Sequence, residues 1–304
     1  MDRRQFMSTG AVTTAAVLMG LQNAGAQDKT SNSAKFKLRY APTFNCFKNH
    51  VGNDPTENIK FAADNGFRGM FDNGFGRKPS DQQKKILAEM EKHDMKLGPF
   101  GFSGMPGGKA FVSNDKDTRK QIVEACRNTV EVAKRVNATW ILLVPGSYDD
   151  RLEWDYQTAN VIDNLRACVE ILESAGCVMV LEPLNAWTNH PGRFLTKIPQ
   201  AYLICRAVNS PSVKIVNDLY HQQIMEGNLI PNIDLAWSEI ASFHIGDNPG
   251  RKEPGTGEIN YKNVFKHIHG KGYEGVLCCE HGKSISGKEG EIAFIEAYRK
   301  CDGF

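Results

Sequence analysis

Four apolar runs, VMVLE (178–182), VKIVND (213–218), IASFH (240–244) and VLCCE (276–280), each stop on a polar residue. Those residues, Glu182, Asp218, His244 and Glu280, lie 36, 26 and 36 positions apart. Each run has the length and the β-branched or aromatic content of a buried strand. Each also ends on a side chain that costs several kcal/mol to bury unpaired. The intervals leave room for a helix between successive strands, so the pattern predicts a repeating strand and helix unit with one metal ligand at each of four strand ends. A shared cation would satisfy all four.

The alternation extends through the rest of the chain. Four earlier candidate strands, 36–41, 67–71, 95–100 and 139–144, bring the total to eight. Helical patterns fall between them at 56–65, 80–93, 115–136, 156–175, 198–208, 220–226 and 261–271. The second begins at Ser80, with Gln83 three positions on as in a capping box, and the third carries Ile122, Ala125, Cys126, Thr129, Ala133 and Val136 on one largely apolar stripe. Eight strands alternating with helices over 36–304 predict a (β/α)8 TIM barrel. A doubly wound open sheet competes less well, because no G-x-G-x-x-G or P-loop follows any strand. In a barrel the chemistry sits at the carboxyl ends of the strands, where all four polar residues fall.

Composition adds exclusions. Of 304 residues, 41% are hydrophobic and 24% charged, which suits a large α/β domain. The net charge of +2, with no block of Lys and Arg, argues against a nucleic-acid partner. The first 26 residues differ: Arg3-Arg4-Gln5-Phe6, an apolar stretch from Gly10 to Leu21, and Ala24-Gly25-Ala26 read as a twin-arginine signal peptide. The apolar stretch is too short for stable membrane insertion. The expectation is export to the periplasm with cleavage near Ala26, residues 27–35 forming a flexible leader. Eight scattered cysteines contain no C-x-x-C pair; Cys168, Cys177 and Cys278 fall in apolar runs and are expected as buried thiols, although export leaves an occasional disulfide open.

Three carboxylates and one imidazole make a hard, oxygen-rich donor set. It suits one divalent metal ion, Mn²⁺, Mg²⁺ or Co²⁺ in preference to Zn²⁺.

The segments LEPLN (181–185), NDLYHQQIMEGNL (217–229) and GRKEPGTGEINYKNVF (250–265) resemble hydroxypyruvate isomerase and its neighbours in the xylose isomerase-like barrel superfamily, which also includes ketose 3-epimerases and endonuclease IV. The resemblance implies that Glu182, Asp218, His244 and Glu280 hold the metal and that Glu182 and Glu280 are also the catalytic acid and base. It implies an isomerase or epimerase of a small sugar-like or hydroxy-keto acid substrate, working through an enediolate. His221 and Arg251 match positions that bind substrate oxygens; Asn185 and His190 are pocket candidates by position, and Glu253 and Glu258 share the loop of Arg251. Relatives are often homodimers or homotetramers. Two departures turn the expectation away from hydroxypyruvate itself: Met70-Phe71 with Asp72 stands where relatives carry a strand glutamate, and His244 replaces a glutamine ligand. The endonuclease branch needs a histidine-rich cluster that this chain lacks. A keto-sugar or keto-inositol dehydratase and a non-catalytic periplasmic sugar-binding barrel are the competing readings.

Overall fold

The β-branched and aromatic runs form nine short strands in the computed structural model, which describes residues 34–304. The signal peptide expected at 1–26 and most of the leader lie outside the described residues. The strands are β1 (Arg39–Ala41), β2 (Gly69–Met70), β3 (Lys96–Leu97), β4 (Phe100–Gly101), β5 (Trp140–Leu143), β6 (Val178–Leu181), β7 (Val213–Asp218), β8 (Ile240–Ile245) and β9 (Val276–Cys279). All named pairings are parallel, in the order β1-β9-β8-β7-β6-β5-β4, with β2 paired to β3.

The ring closes through two junctions. Phe71 N donates to Pro42 O at 3.0 Å beside a parallel bridge between Thr43 and Phe71. The other junction is covalent, because β3 and β4 are halves of the single strand expected at 95–100. Pro99 between them has no N–H for a ladder, and a Cβ added at Gly98 would lie 2.7 Å from Cys278 Sγ and 2.8 Å from Phe71 Cβ. Gly98 therefore lets this strand approach the barrel interior. The expected TIM-barrel architecture is what forms.

Two small apolar clusters fill the interior. Ala41, Phe71, Val276 and Cys278 make one, and Leu142, Val180 and Val216 the other. The ring of Phe71 stands 5.7 Å from that of His244, so the first cluster floors the polar end of the barrel. A much larger cluster packs strands against helices, with Tyr40, Phe67, Phe265, Phe294 and Tyr298 among its buried rings.

One irregularity aligns the polar ends. Ile215 pairs with Ile240 but Val216 with Ser242, leaving Ala241 as an extra residue in β8. Side chains alternate faces along a strand, so the extra residue changes which ones face inward. It sets Asp218 opposite His244, and on the next ladder His244 opposes Cys278, two residues before Glu280.

Several local expectations need correction. The helix expected from Ser80 spans Ser80–Lys92 with Pro79 as N-cap and no side-chain cap. Gln83 instead donates to Phe75 O and Gly76 O and accepts from Arg135, so no capping box forms. Three further helices were not foreseen, Lys48–Val51, Leu229–Ala236 and Gly287–Asp302. All eight cysteines are free and buried. Among the described residues no helix is long and apolar enough to cross a membrane.

Candidate active site

Each polar strand end is fixed by its backbone. Glu182 follows β6 and extends its ladder, N–H to Leu143 O at 3.0 Å. Asp218 ends β7 and caps the helix Leu219–Met225, its Oδ1 accepting from Tyr220 N at 2.9 Å and His221 N at 3.1 Å. That cap occupies one oxygen and leaves Oδ2 turned toward the other ligands. His244 lies near the end of β8 and Glu280 directly after β9.

The four residues converge: one ligand atom from each lies within 4.8 Å of every other. His244 Nδ1 is 3.0 Å from Glu182 Oε1 and 3.0 Å from Glu280 Oε2. Glu182, Asp218 and His244 are buried and Glu280 is partly so. Arg251 enters from the loop after β8: Nη2 donates to Asp218 Oδ2 at 2.9 Å and Glu280 Oε2 at 2.7 Å, while Nε donates to Glu280 O at 3.0 Å. Its guanidinium also stands 4.9 Å from the centre of the Tyr220 ring.

Burial, then the charge of Glu280, pushes the Glu182 carboxyl up to about 7. Burial acts the same way on Glu280, but His244 and Arg251 override it and hold that carboxyl below its ordinary range. Burial opposes a charged His244, and the adjacent Glu280 outweighs it, raising the imidazole well above its usual value. Two neighbouring glutamates of one chemical type are thus set apart by their surroundings.

This donor set fits a divalent cation. Three carboxylates converge on one imidazole, whose Nδ1 faces two of them, and on one guanidinium. A cation would offset the repulsion that lifts Glu182.

The remaining site candidates sort by position. His221 Nε2 lies 3.5 Å from Asp218 Oδ2, and its Nδ1 receives Asn185 Nδ2 at 2.6 Å, which fixes a neutral ring with the proton on Nε2. Burial lowers the affinity of this ring for a second proton. Asn185 spends its other contacts on Asn189 and Thr188, so it orients His221 from behind. His190 is half-buried with its ring 5.3 Å from that of His221. Glu253 turns away to bind Ser284, and Glu258 accepts from Asn248 Nδ2 at 2.7 Å and Gln223 Nε2 at 3.2 Å; both anchor the loop.

Two residues that touch or support this cluster escaped the sequence reading. Asn73 donates to Glu280 Oε1 at 2.6 Å. Asp72, singled out from the altered second strand, instead pairs with Lys78 at 2.9 Å. The period of two was the available signal, since Asn73 shares a face with inward Phe71. Asp247, fully buried, accepts from the N–H groups of Asn248, Gly255, Gly257 and Ile259 and so shapes the loop that delivers Arg251. A carboxylate flanked by a run of Gly and Pro was its only trace in the sequence.

Known proteins resemble this chain in sequence and fold. Residues 59–298 match the family model described as xylose isomerase-like TIM barrel. The chain is 30% identical over 246 residues to hydroxypyruvate isomerase of Escherichia coli K12, covering 78% of this chain and 91% of that one. It is 37% identical over 147 residues to a putative hydroxypyruvate isomerase of Xenopus laevis, covering 47% of this chain and about half, 52%, of the relative. Among solved structures, an AP endonuclease of family 2 from Brucella melitensis superposes with a TM-score of 0.72 at 25% identity, over 86% of this chain and 99% of that one. A 3-keto-D-glucoside 4-epimerase from E. coli gives 0.69 at 19% identity, over 88% and 100% of the two chains, a likeness of fold.

Proposed function

The chain belongs to the xylose isomerase-like TIM barrel family, and on that premise we propose that it is a metal-dependent isomerase or epimerase of a small hydroxy-carbonyl compound, with Glu182 and Glu280 as the proton-transfer pair. The observation that carries this reading is the placement of both glutamates 3.0 Å from one imidazole nitrogen, in a cluster that also holds Asp218. The name of the E. coli relative, an isomerase, supports the reaction class.

Glu182, Asp218, His244 and Glu280 would hold one divalent ion, which would supply Lewis acidity to a substrate carbonyl and so make the adjacent C–H more acidic. One glutamate would remove that proton to leave an enediolate, and the other would return a proton either to the neighbouring carbon, with the hydroxyl proton passing to the former carbonyl oxygen, or to the opposite face of the same carbon. The first outcome is isomerisation and the second epimerisation. Arg251 and the Nε2–H of His221 face the same space as donors to substrate oxygens, and Asn185 keeps His221 in the tautomer that can donate. His190 stands beside His221 and would approach the same substrate.

We also propose, from Arg3-Arg4-Gln5-Phe6 and the small-residue site before Gln27, that the chain is exported by the twin-arginine route and works in the periplasm. Export supports a sugar-like substrate over hydroxypyruvate.

Incubating the full chain with Mn²⁺ or Co²⁺ and a panel of ketoses, 3-keto-sugars and 2-keto acids in D₂O tests the proposal. Deuterium at the carbon beside the carbonyl, lost in Glu182→Gln and Glu280→Gln, is the expected result. Saturable sugar binding with no exchange would replace this reading with a binding barrel, and loss of water from the product would replace it with a dehydratase.

A further inference from the structure

The end of the barrel opposite the glutamates carries a second convergence of charge. Lys37 and Arg39 come from the start of β1, Arg68 directly precedes β2, and His269, Gly272, Tyr273 and Glu274 lead into β9. They line a cavity of about 260 Å³. We propose that this cavity is a binding site for a small tetrahedral oxyanion of the phosphate or sulfate class, held chiefly by Arg39 and Arg68.

Among the described residues neither Arg39 nor Arg68 reaches a carboxylate within 4.0 Å, a state they share with Arg77, Arg127, Arg135, Arg151, Arg193 and Arg299; what sets this pair apart is that both line one cavity. One edge of Arg68 is fixed, with Nη2 donating to Lys37 O at 3.0 Å, while its Nε is buried without an acceptor. The nearby carboxylate of Asp302 is already committed, one oxygen to Lys37 N at 2.8 Å and the other to Tyr40 Oη at 3.0 Å. Lys37 places its ammonium on the Phe304 carbonyl oxygen and over that ring, which leaves the arginines as the cavity's principal donors. Burial, followed by the charge of Arg39, makes Arg68 a weaker base than usual, with Asp94 and Asp302 acting in the opposite sense.

A tetrahedral oxyanion answers each of these features. Guanidinium forks match its oxygens two at a time, and its charge removes the repulsion between the arginines. Among the described residues that line the cavity Glu274 is the one carboxylate, and it is exposed. The site lies across the barrel from Glu182 and Glu280, so an occupant there would act on stability or assembly and not on the reacting atoms.

Inorganic phosphate titrated into the full chain at low ionic strength, followed by calorimetry and by amide hydrogen exchange, tests this. One saturable event is expected, weakened about tenfold or more in the Arg39→Gln/Arg68→Gln double variant and by less in Arg39→Lys/Arg68→Lys, which keeps the charge but loses the fork. Exchange protection is expected at 37–41, 67–69 and 269–276. The exchange map on the unaltered protein decides the matter even if the double variant fails to fold. No saturable event, full binding by a folded double variant, or protection confined to 246–260 would each overturn the proposal. Co-sedimentation with phosphatidylglycerol vesicles without a response to free phosphate would overturn it as well.

Discussion

The two halves of the barrel divide the work unequally. From β6 onward the strands run four to six residues, and each ends on or beside one of Glu182, Asp218, His244 and Glu280. The earlier strands run two or three residues from β1 to β4 and four in β5, the ladder is broken at Gly98-Pro99 between β3 and β4, and none ends on a member of the cluster. The later strands supply charge and the earlier ones supply shape: Phe71 fills the interior under His244, and Asn73 reaches across to Glu280. A closed barrel lets half of its strands concentrate repelling groups while the other half packs the floor that fixes their spacing.

The contrast makes measurable demands. The largest effect should come from the charged half: Glu182→Gln or Glu280→Gln should lower turnover by about 10²- to 10⁴-fold with the melting temperature nearly unchanged, read by substrate conversion and calorimetry. Phe71→Ala, in the packing half, should do the reverse and cost about 3–5 kcal/mol of stability in a denaturant titration. If Phe71→Ala proved neutral for stability, the division between halves would fail.

Asn73→Ala tests whether the packing half also tunes the chemistry. It should lower kcat by about tenfold while metal affinity holds, because it removes one charge-assisted hydrogen bond to Glu280, worth about 1.5–3 kcal/mol. Equal loss in KM alone would make Asn73 a binding group instead.

The mildest test is pH. Glu182 titrates near 7 in the metal-free protein, above the roughly 4.3 of a free glutamate. An incoming cation must displace the proton that His244 holds and, below about pH 7, a second one from Glu182, so metal affinity should fall as pH drops and fall more steeply below pH 7 than above it. A slope that does not steepen until near pH 4 would show Glu182 to be an ordinary carboxylate.

Legibility followed the same division. The runs that end on Glu182, Asp218, His244 and Glu280 are long enough for β-branched content to mark them, and burial of an ionisable group at a strand end has few explanations. The barrel followed from their spacing. The break at Gly98-Pro99 arises from contact with Cys278 and Phe71, strands remote in sequence, and no local pattern encodes it. The extra residue at Ala241 is a register event between two strands and is equally silent. Helix Gly287–Asp302 was hidden by Gly287 and Gly290 in its first turn, and tertiary burial of Phe294, Ile295 and Tyr298 overrides that weak propensity. At Ser80 a local motif misled, because Gln83 gains more by donating to two carbonyls of the preceding turn. Asn73 and Asp247 are read only through partners far away or through a folded loop, and those partners exist only once the chain has closed.

Glu182, Asp218, His244 and Glu280 are proposed to form one cation site. Calorimetric titration of chelator-treated full chain with Mn²⁺ and Co²⁺, beside Asp218→Asn, which keeps the helix cap while removing the charge, measures it directly. One ion per chain, with affinity reduced about 100-fold or more in Asp218→Asn, is the predicted result. No saturable binding, or binding that Asp218→Asn leaves intact, would contradict the account.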